Sequence, residues 1–202
     1  LSAGCTGSIG RISIGERYLR IGETMEKFEI LGKDLVYHGT IIDFYKLKLR
    51  TPAGHEVSWD HIEHKGASAV LPIDDEGKVL TVTQYRGAID DIMIEIPAGG
   101  RDSVEEDFAV CAARELEEET GFRAGSLEHL VDVHTAAAYT SEKIAVYVAK
   151  DLIPSRQHLD EDEFVDIRRY TFEELNDMIF SGKITDSKTI AAVMAYQTKQ
   201  RK

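Results

Sequence analysis

From Lys27 to Arg50 the chain alternates apolar and polar residues, KFEILGKDLVYHGTIIDFYKLKLR, the period-2 pattern of a half-buried strand. "TPAG", residues 51 to 54, has Pro and Gly where a turn wants them, and HEVSWDHIEH then completes a hairpin. ASAVLPI is short and apolar enough for a buried strand, and DDEG turns it into KVLTVTQY. IMIEIP makes another strand and runs into the glycines at 99 and 100. Ser103 with Glu106 three residues later predicts a capping box that opens a helix, and Gly121 predicts its end. Further strands are expected at about 127–134, 142–149 and 164–170, with the acidic loop LDEDEF before the last. Thr171 and Glu174 form a second capping box, and DSKTIAAVMAYQTK reads as a final amphipathic helix. Mostly antiparallel strands with one central and two terminal helices predict an α+β layered domain.

Composition changes this picture in two places. Formal net charge is −12, from 36 acids against 24 Lys and Arg, which argues against nucleic acid as a partner. An acidic chain that handles phosphates needs a cation between itself and its substrate. The two cysteines, Cys5 and Cys111, make neither a disulfide framework nor a metal cluster, and Cys111 reads as a small core residue. No apolar run approaches the ~18 residues of a membrane span, so no membrane partner and a cytoplasmic location are expected. Residues 1–26, opening LSAGCTGSIG, are weakly patterned and are expected to form a flexible, truncated end rather than a leader. Residues 27–65 form an N-terminal β region and residues 66–202 the main domain.

The central helix gathers acids. Glu115, Glu118 and Glu119 stand at i, i+3 and i+4 and share one face, whereas Glu117 points away. Ala109, Ala112, Ala113 and Leu116 supply the stripe expected to pack on a sheet. Carboxylates so close repel one another. A hard divalent cation, Mg²⁺ or Mn²⁺, removes that cost by taking their oxygens as ligands. Arg114 stands beside the cluster and is placed to pair with a glutamate and fix its rotamer.

Gly100, five residues, Glu106, seven residues and then Arg114-Glu115-Leu116-Glu117-Glu118-Glu119-Thr120-Gly121-Phe122 resembles the Nudix box with every defining position filled. The flanking pieces GASAVLPIDDEGKVLTVTQYRG, EIPAGG, SEKIAVYVA, LDEDEF and GKITDSKTIAAVMAY are similar to the branch that cleaves ADP-ribose and other nucleoside diphosphate sugars. The resemblance covers about residues 27 to 198. It implies a Nudix fold, an α/β/α sandwich of mainly antiparallel mixed sheets, with an added N-terminal antiparallel sheet. It implies Mg²⁺-dependent hydrolysis of the diphosphate linkage, with GDP-mannose or another sugar nucleotide as the alternative substrate. A Nudix-fold module that senses a nucleotide without cleaving it is the rival from another class.

The same resemblance distributes roles. The Gly99 carbonyl, Glu115 and Glu119 are the implied metal ligands, assisted by Glu118. On the loop "DEDE", Glu161 is the implied general base and Glu163 a further metal ligand; if the loop is only a solvated turn, neither has a role. Arg86 is implied to contact the diphosphate, and Glu95 to touch substrate or metal or else to be a polar strand-end residue. Trp59, the only tryptophan, is implied to stack on the base across a homodimer whose N-terminal sheets are exchanged. Tyr37 and Phe44 are weaker candidates for the other side of the base. Ala137 stands where the branch carries a proline, which puts the choice of sugar in doubt. Histidines 38, 55, 61, 64, 129, 134 and 158 have no zinc-like spacing.

Overall fold

A computed structural model describes residues 26–40, 42–159 and 164–201. The expected N-terminal hairpin is a three-stranded meander, because Gly39 and its neighbours break the long alternating run. Strands β1 (Glu29–His38), β2 (Asp43–Arg50) and β3 (Glu56–Glu63) pair antiparallel in that order. The TPAG turn closes β2 onto β3, with Gly54 at φ 86°, a left-handed conformation suited to glycine.

The two faces of this sheet differ. Ile30, Leu35, Leu47 and Trp59 share one face, as the pairings Ile30–Leu49, Leu35–Tyr45 and Leu47–Trp59 require. The opposite face carries the ion pairs Lys46–Asp60 and Lys48–Asp34, with Arg50 between Glu29 and Glu56 at its end. Only Leu49 of the described residues in these strands is buried. The sheet reaches the rest of the molecule through Ile62, whose N–H donates to the Tyr139 carbonyl at 2.7 Å and whose carbonyl accepts from Ser141 N–H. Those residues belong to the TAAAYTSEK loop, where Ala137 sits exposed in a turn closed by Tyr139 N–H on the Ala136 carbonyl.

The main domain is built around β4 (Ala67–Pro72), buried along its whole length. A strand buried on both faces reads as a continuous apolar run, as ASAVLP does. β4 pairs parallel with β9 (Lys143–Pro154) and antiparallel with β7 (Ala98–Gly100), and β8 (Phe122–His134) pairs with β9, in the order β7-β4-β9-β8. A second sheet runs β10-β5-β6, from β5 (Val79–Arg86), β6 (Asp91–Glu95) and β10 (Asp166–Tyr170). β8 and β9 extend well beyond the expected 127–134 and 142–149, because they pair with each other from Phe122–Pro154 to His134–Lys143.

Alternation along β4 and β9 sorts the core. Ala67, Ala69, Leu71, Ile144, Val146 and Val148 face helices α2 (Phe172–Phe180) and α3 (Ser187–Gln200), meeting Leu175, Ile184 and Val193. Val70 and Ala149 face helix α1 (Phe108–Thr120) through Ala112 and Leu116. Each fully buried Leu or Val stabilises the fold by about 1.5–3 kcal/mol. Helices on both faces of the sheet give the expected α/β/α sandwich. Cys111 is fully buried, as expected of a core residue. Ala113, expected in the apolar stripe, is exposed; Cys111 takes that place.

The Ser103 capping box is corrected. α1 begins four residues later, capped by Asp107, whose carboxylate accepts from Ala109 N–H at 2.8 Å. Glu106 instead accepts from Asp102 N–H at 2.7 Å and pairs with Arg114. The Thr171–Glu174 box is present at α2 with both reciprocal bonds. Among the described residues no helix is long and apolar enough to cross a membrane.

Candidate active site

Strand β7 lies over the acidic face of α1. Ala98 N–H donates to Glu119 Oε2 at 3.0 Å, and a Cβ at position 99 would fall inside the carboxyl group of Glu115. A side chain at position 99 would have to push the Glu115 carboxyl group aside. Glu115 and Glu119 are both buried, and Glu118 is half-buried beside them. The acidic face is enclosed under the backbone rather than solvated, unlike an ordinary acidic surface helix.

Arg114 is the hub that fixes these carboxylates. Its Nη1 donates to Glu115 Oε1 at 2.7 Å and to Glu118 Oε2 at 2.9 Å, and its Nη2 donates to the Gly100 carbonyl at 2.9 Å. Its Nε reaches Glu106 Oε1 at 3.2 Å. Burial pushes the Glu106 carboxyl up, but the bonds from Arg114 and the Asp102 N–H outweigh it and hold it below the usual carboxylate range. A second arginine closes the loop between Gly100 and α1. Arg101 donates to the carbonyls of Lys65, Val104 and Glu106 and lies 4.3 Å over the Phe108 ring.

The end of α1 is sealed by the segment 155–158. Gly121 takes φ 70° and donates to the Glu117 carbonyl at 2.8 Å. Ser155 N–H donates to the Gly121 carbonyl, Gln157 Nε2 to the Glu119 carbonyl and His158 N–H to the Glu118 carbonyl at 2.9 Å. These bonds satisfy carbonyls that a helix end otherwise leaves open. Glu161 and Glu163 lie outside the described residues, and His158 is three positions before Glu161 in the chain.

Arg86 and Glu95 meet as a fork. Arg86 Nε and Nη2 donate to the two oxygens of Glu95, both at 2.7 Å, across the β5–β6 pair. Glu95 is buried, and Lys188 of α3, also buried, donates to its Oε2 from the other side. Burial alone would raise the Glu95 carboxyl, but Arg86 and Lys188 together hold it below its ordinary 4.5. Glu95 is thus saturated by protein cations. Sequence reasoning missed Lys188; its signal was a lysine just after the cap of an otherwise small and apolar helix.

Trp59 is half exposed, with Phe28 packed at 5.3 Å between ring centroids. Tyr37 and Phe44 are direct partners across β1 and β2. They occupy the face opposite Trp59, so one chain cannot close all three around a single base.

Gly99 lies against Glu115, Glu119 is held by the neighbouring Ala98 N–H, and Glu118 joins Glu115 through Arg114. Among the described residues, however, no three acidic, His or Cys side chains form a metal-binding arrangement, and Arg114 engages Glu115 and Glu118. The donor set still suits a hard cation: carboxylate and carbonyl oxygens, with the Glu115 carboxyl lying directly against the backbone of Gly99.

Residues 63–193 match the family described as NUDIX domain. The ADP-ribose pyrophosphatase of Bacillus subtilis (strain 168) is 34% identical over 84% of this chain and 92% of its own. The methanol dehydrogenase activator of Bacillus methanolicus is 36% identical, over 82% and 90% respectively. A solved structure described as an ADP compounds hydrolase shares the fold, with a TM-score of 0.77 at 22% identity over 89% of this chain and 97% of that one. The chain belongs to the Nudix hydrolase family and is a pyrophosphatase of it.

Proposed function

We propose that the enzyme hydrolyses the diphosphate of ADP-ribose or a closely related nucleoside diphosphate sugar with Mg²⁺, giving a nucleoside monophosphate and a sugar phosphate. The observation that carries this reading is strand β7 seated on the Glu115/Glu119 face of α1, with Arg114 fixing Glu115 and Glu118. Similarity to ADP-ribose pyrophosphatases of 34% and 33% identity supports the adenine nucleotide.

Glu115, Glu118, Glu119 and the Gly99 carbonyl would hold the cation, which when bound neutralises charge on the diphosphate and polarises the bond that breaks. Arg114 keeps the glutamate rotamers in place. Arg86 offers its exposed edge to the diphosphate while Glu95 holds its other side. Glu161 takes the proton from the attacking water, on a segment whose start is tied to α1 through His158. Glu163, outside the described residues, is the proposed further carboxylate ligand of the cation. Enclosure of the acidic face under β7 strengthens each of these electrostatic contacts.

The second substrate reading, GDP-mannose, is favoured by the GDP-mannose pyrophosphatase of Cronobacter sakazakii (strain ATCC BAA-894), 28% identical over 66% of this chain. Ala137 in its exposed turn also leaves the sugar side less constrained than a proline would. A panel of nucleotide sugars with Mg²⁺, read as released nucleoside monophosphate, decides. AMP from ADP-ribose is the expected product; GMP from GDP-mannose alone moves the substrate, and binding without release makes the protein a sensing module.

We further propose a homodimer formed through the N-terminal sheet. Ile30 is 68% exposed, Leu35 54% and Trp59 50%, all on one face of an otherwise charged sheet. Exposed apolar side chains grouped in this way, with the Lys33–Glu63 ion pair beside them on the same face, suit a protein interface.

A further inference from the structure

The structure assigns Lys188, with Asp186, to positioning Arg86 from the far side of Glu95. This rests on the reading of Arg86 as the diphosphate contact.

Glu95 Oε2 is shared by two cations: Arg86 Nη2 from strand β5 and Lys188 Nζ from helix α3. Glu95 Oε1 takes Arg86 Nε alone. Lys188 is tied in turn to Asp186 Oδ1 at 3.0 Å. Asp186 is the N-cap of α3, and its other oxygen accepts from Thr189 N–H and Oγ1. Thr189 Oγ1 accepts from Ile96 N–H at 2.9 Å, one residue beyond Glu95. The start of α3 is therefore bolted to the end of β6 through backbone and charge together.

Burial makes this arrangement informative. The side chains of Lys188 and Glu95 are 8% and 2% exposed, whereas that of Arg86 is 40% exposed. A buried lysine is costly and is kept only where it is paired. Arg86 alone would suffice to neutralise Glu95. The second cation, itself balanced by Asp186, holds Glu95 Oε2 without adding net charge to the cluster. It also anchors Glu95 from behind, which fixes the plane of the fork. Aligning an arginine on a phosphate is a matter of fixed geometry as well as charge. Lys188 touches neither substrate nor reacting atoms; it acts through Glu95.

The test uses Lys188→Met, which keeps the stem and removes the charge, with Lys188→Arg as the conservative variant. Lys188→Gln, which still offers a donor to Glu95, serves if the Met variant does not fold. Calorimetric titration with inorganic pyrophosphate in metal-free buffer probes the anion contact without assuming any sugar nucleotide, and Arg86→Met in parallel ties the signal to Arg86. Lys188→Met should weaken pyrophosphate binding about tenfold, with Lys188→Arg close to the parent. With the cleaved sugar nucleotide, KM should rise by a similar factor while kcat stays within about twofold. Unchanged pyrophosphate affinity in a folded Lys188→Met or Lys188→Gln protein overturns the assignment. So does a parent whose pyrophosphate binding is absent or indifferent to Arg86→Met. A parent that binds pyrophosphate through Arg86 but cleaves no sugar nucleotide sinks the proposed substrate and leaves the positioning role to be decided by the titration alone.

Discussion

At position 99 a single methyl group would compete with the Glu115 carboxyl for the same space. Because a Cβ there would fall inside the Glu115 carboxyl group, Gly99→Ala must displace either the glutamate or β7. Mn²⁺ affinity, followed by electron paramagnetic resonance, should fall about tenfold or more, although the helix itself is untouched. Unchanged Mn²⁺ binding would remove Glu115 from the ligand set. Glu95 gives a prediction in pH. Its folded carboxyl is held below 4.5, so the ion pairs with Arg86 and Lys188 contribute stability above that value and lose it as pH falls through the folded value. Glu95→Gln should lose about 2 kcal/mol at pH 7, because buried Lys188 then keeps only Asp186 as a carboxylate partner and Arg86 loses its fork. Its denaturation midpoint should then fall less steeply than the parent's on acidification below pH 4.5, as urea titrations at successive pH values would show. The glutamates of α1 were legible in the sequence because their spacing is local. Glu95 and Lys188 were not read as a pair, since they stand 93 residues apart and only the packing of α3 on β6 joins them.

Elements whose signals are local were read with the right type and often the wrong edge. Strand alternation, the DDEG turn, the Thr171 box and the Gly121 stop all lie within a few residues of what they determine. Strands β8 and β9 ran longer than their own patterns, because mutual pairing extends each of them beyond its apolar stretch. At the start of α1 two residues, Ser103 and Asp107, competed for the cap. Ser103 with Glu106 satisfied the spacing rule, but Glu106 is drawn away by Arg114 and the Asp102 N–H, which leaves Asp107 to cap. Asp107→Ala should therefore cost about 1 kcal/mol, lowering the thermal midpoint by about 2–4 °C for a domain of this size. Ser103→Ala should change it by a fraction of that. Differential scanning calorimetry of the two variants distinguishes them, and the reverse ranking would return the cap to Ser103.

At the scale of the whole molecule, the N-terminal sheet is the part that its own chain does not complete. Strands β1–β3 are stitched by cross-strand ion pairs and touch the main domain chiefly through Ile62, while Ile30, Leu35 and Trp59 stay exposed on one face. Three strands with a hydrophobic face need something to cover that face. In the proposed homodimer a second copy of the chain would supply an identical sheet, and a two-fold arrangement would close the assembly. It also resolves the aromatic geometry, because Trp59 and the Tyr37–Phe44 pair lie on opposite faces and cannot enclose one base within a single chain. In the dimer, Trp59 of one subunit would serve the glutamates of the other. Stacking on a base contributes about 1–3 kcal/mol, so Trp59→Ala should raise KM about ten- to a hundredfold with a smaller change in kcat. Glu119→Gln should remove most turnover while leaving the fold intact. Mixing the two variants under conditions of subunit exchange then separates a shared site from a private one. A heterodimer has one site with both lesions and one with neither, and random exchange makes about half of the dimers mixed. At substrate concentrations too low for the Trp59→Ala homodimer to act, activity should return to about a quarter of the parent's. A monomer by light scattering, or no recovery after exchange is proven by mass spectrometry, defeats the shared site; the glutamates on α1 would then act with a base platform from their own chain.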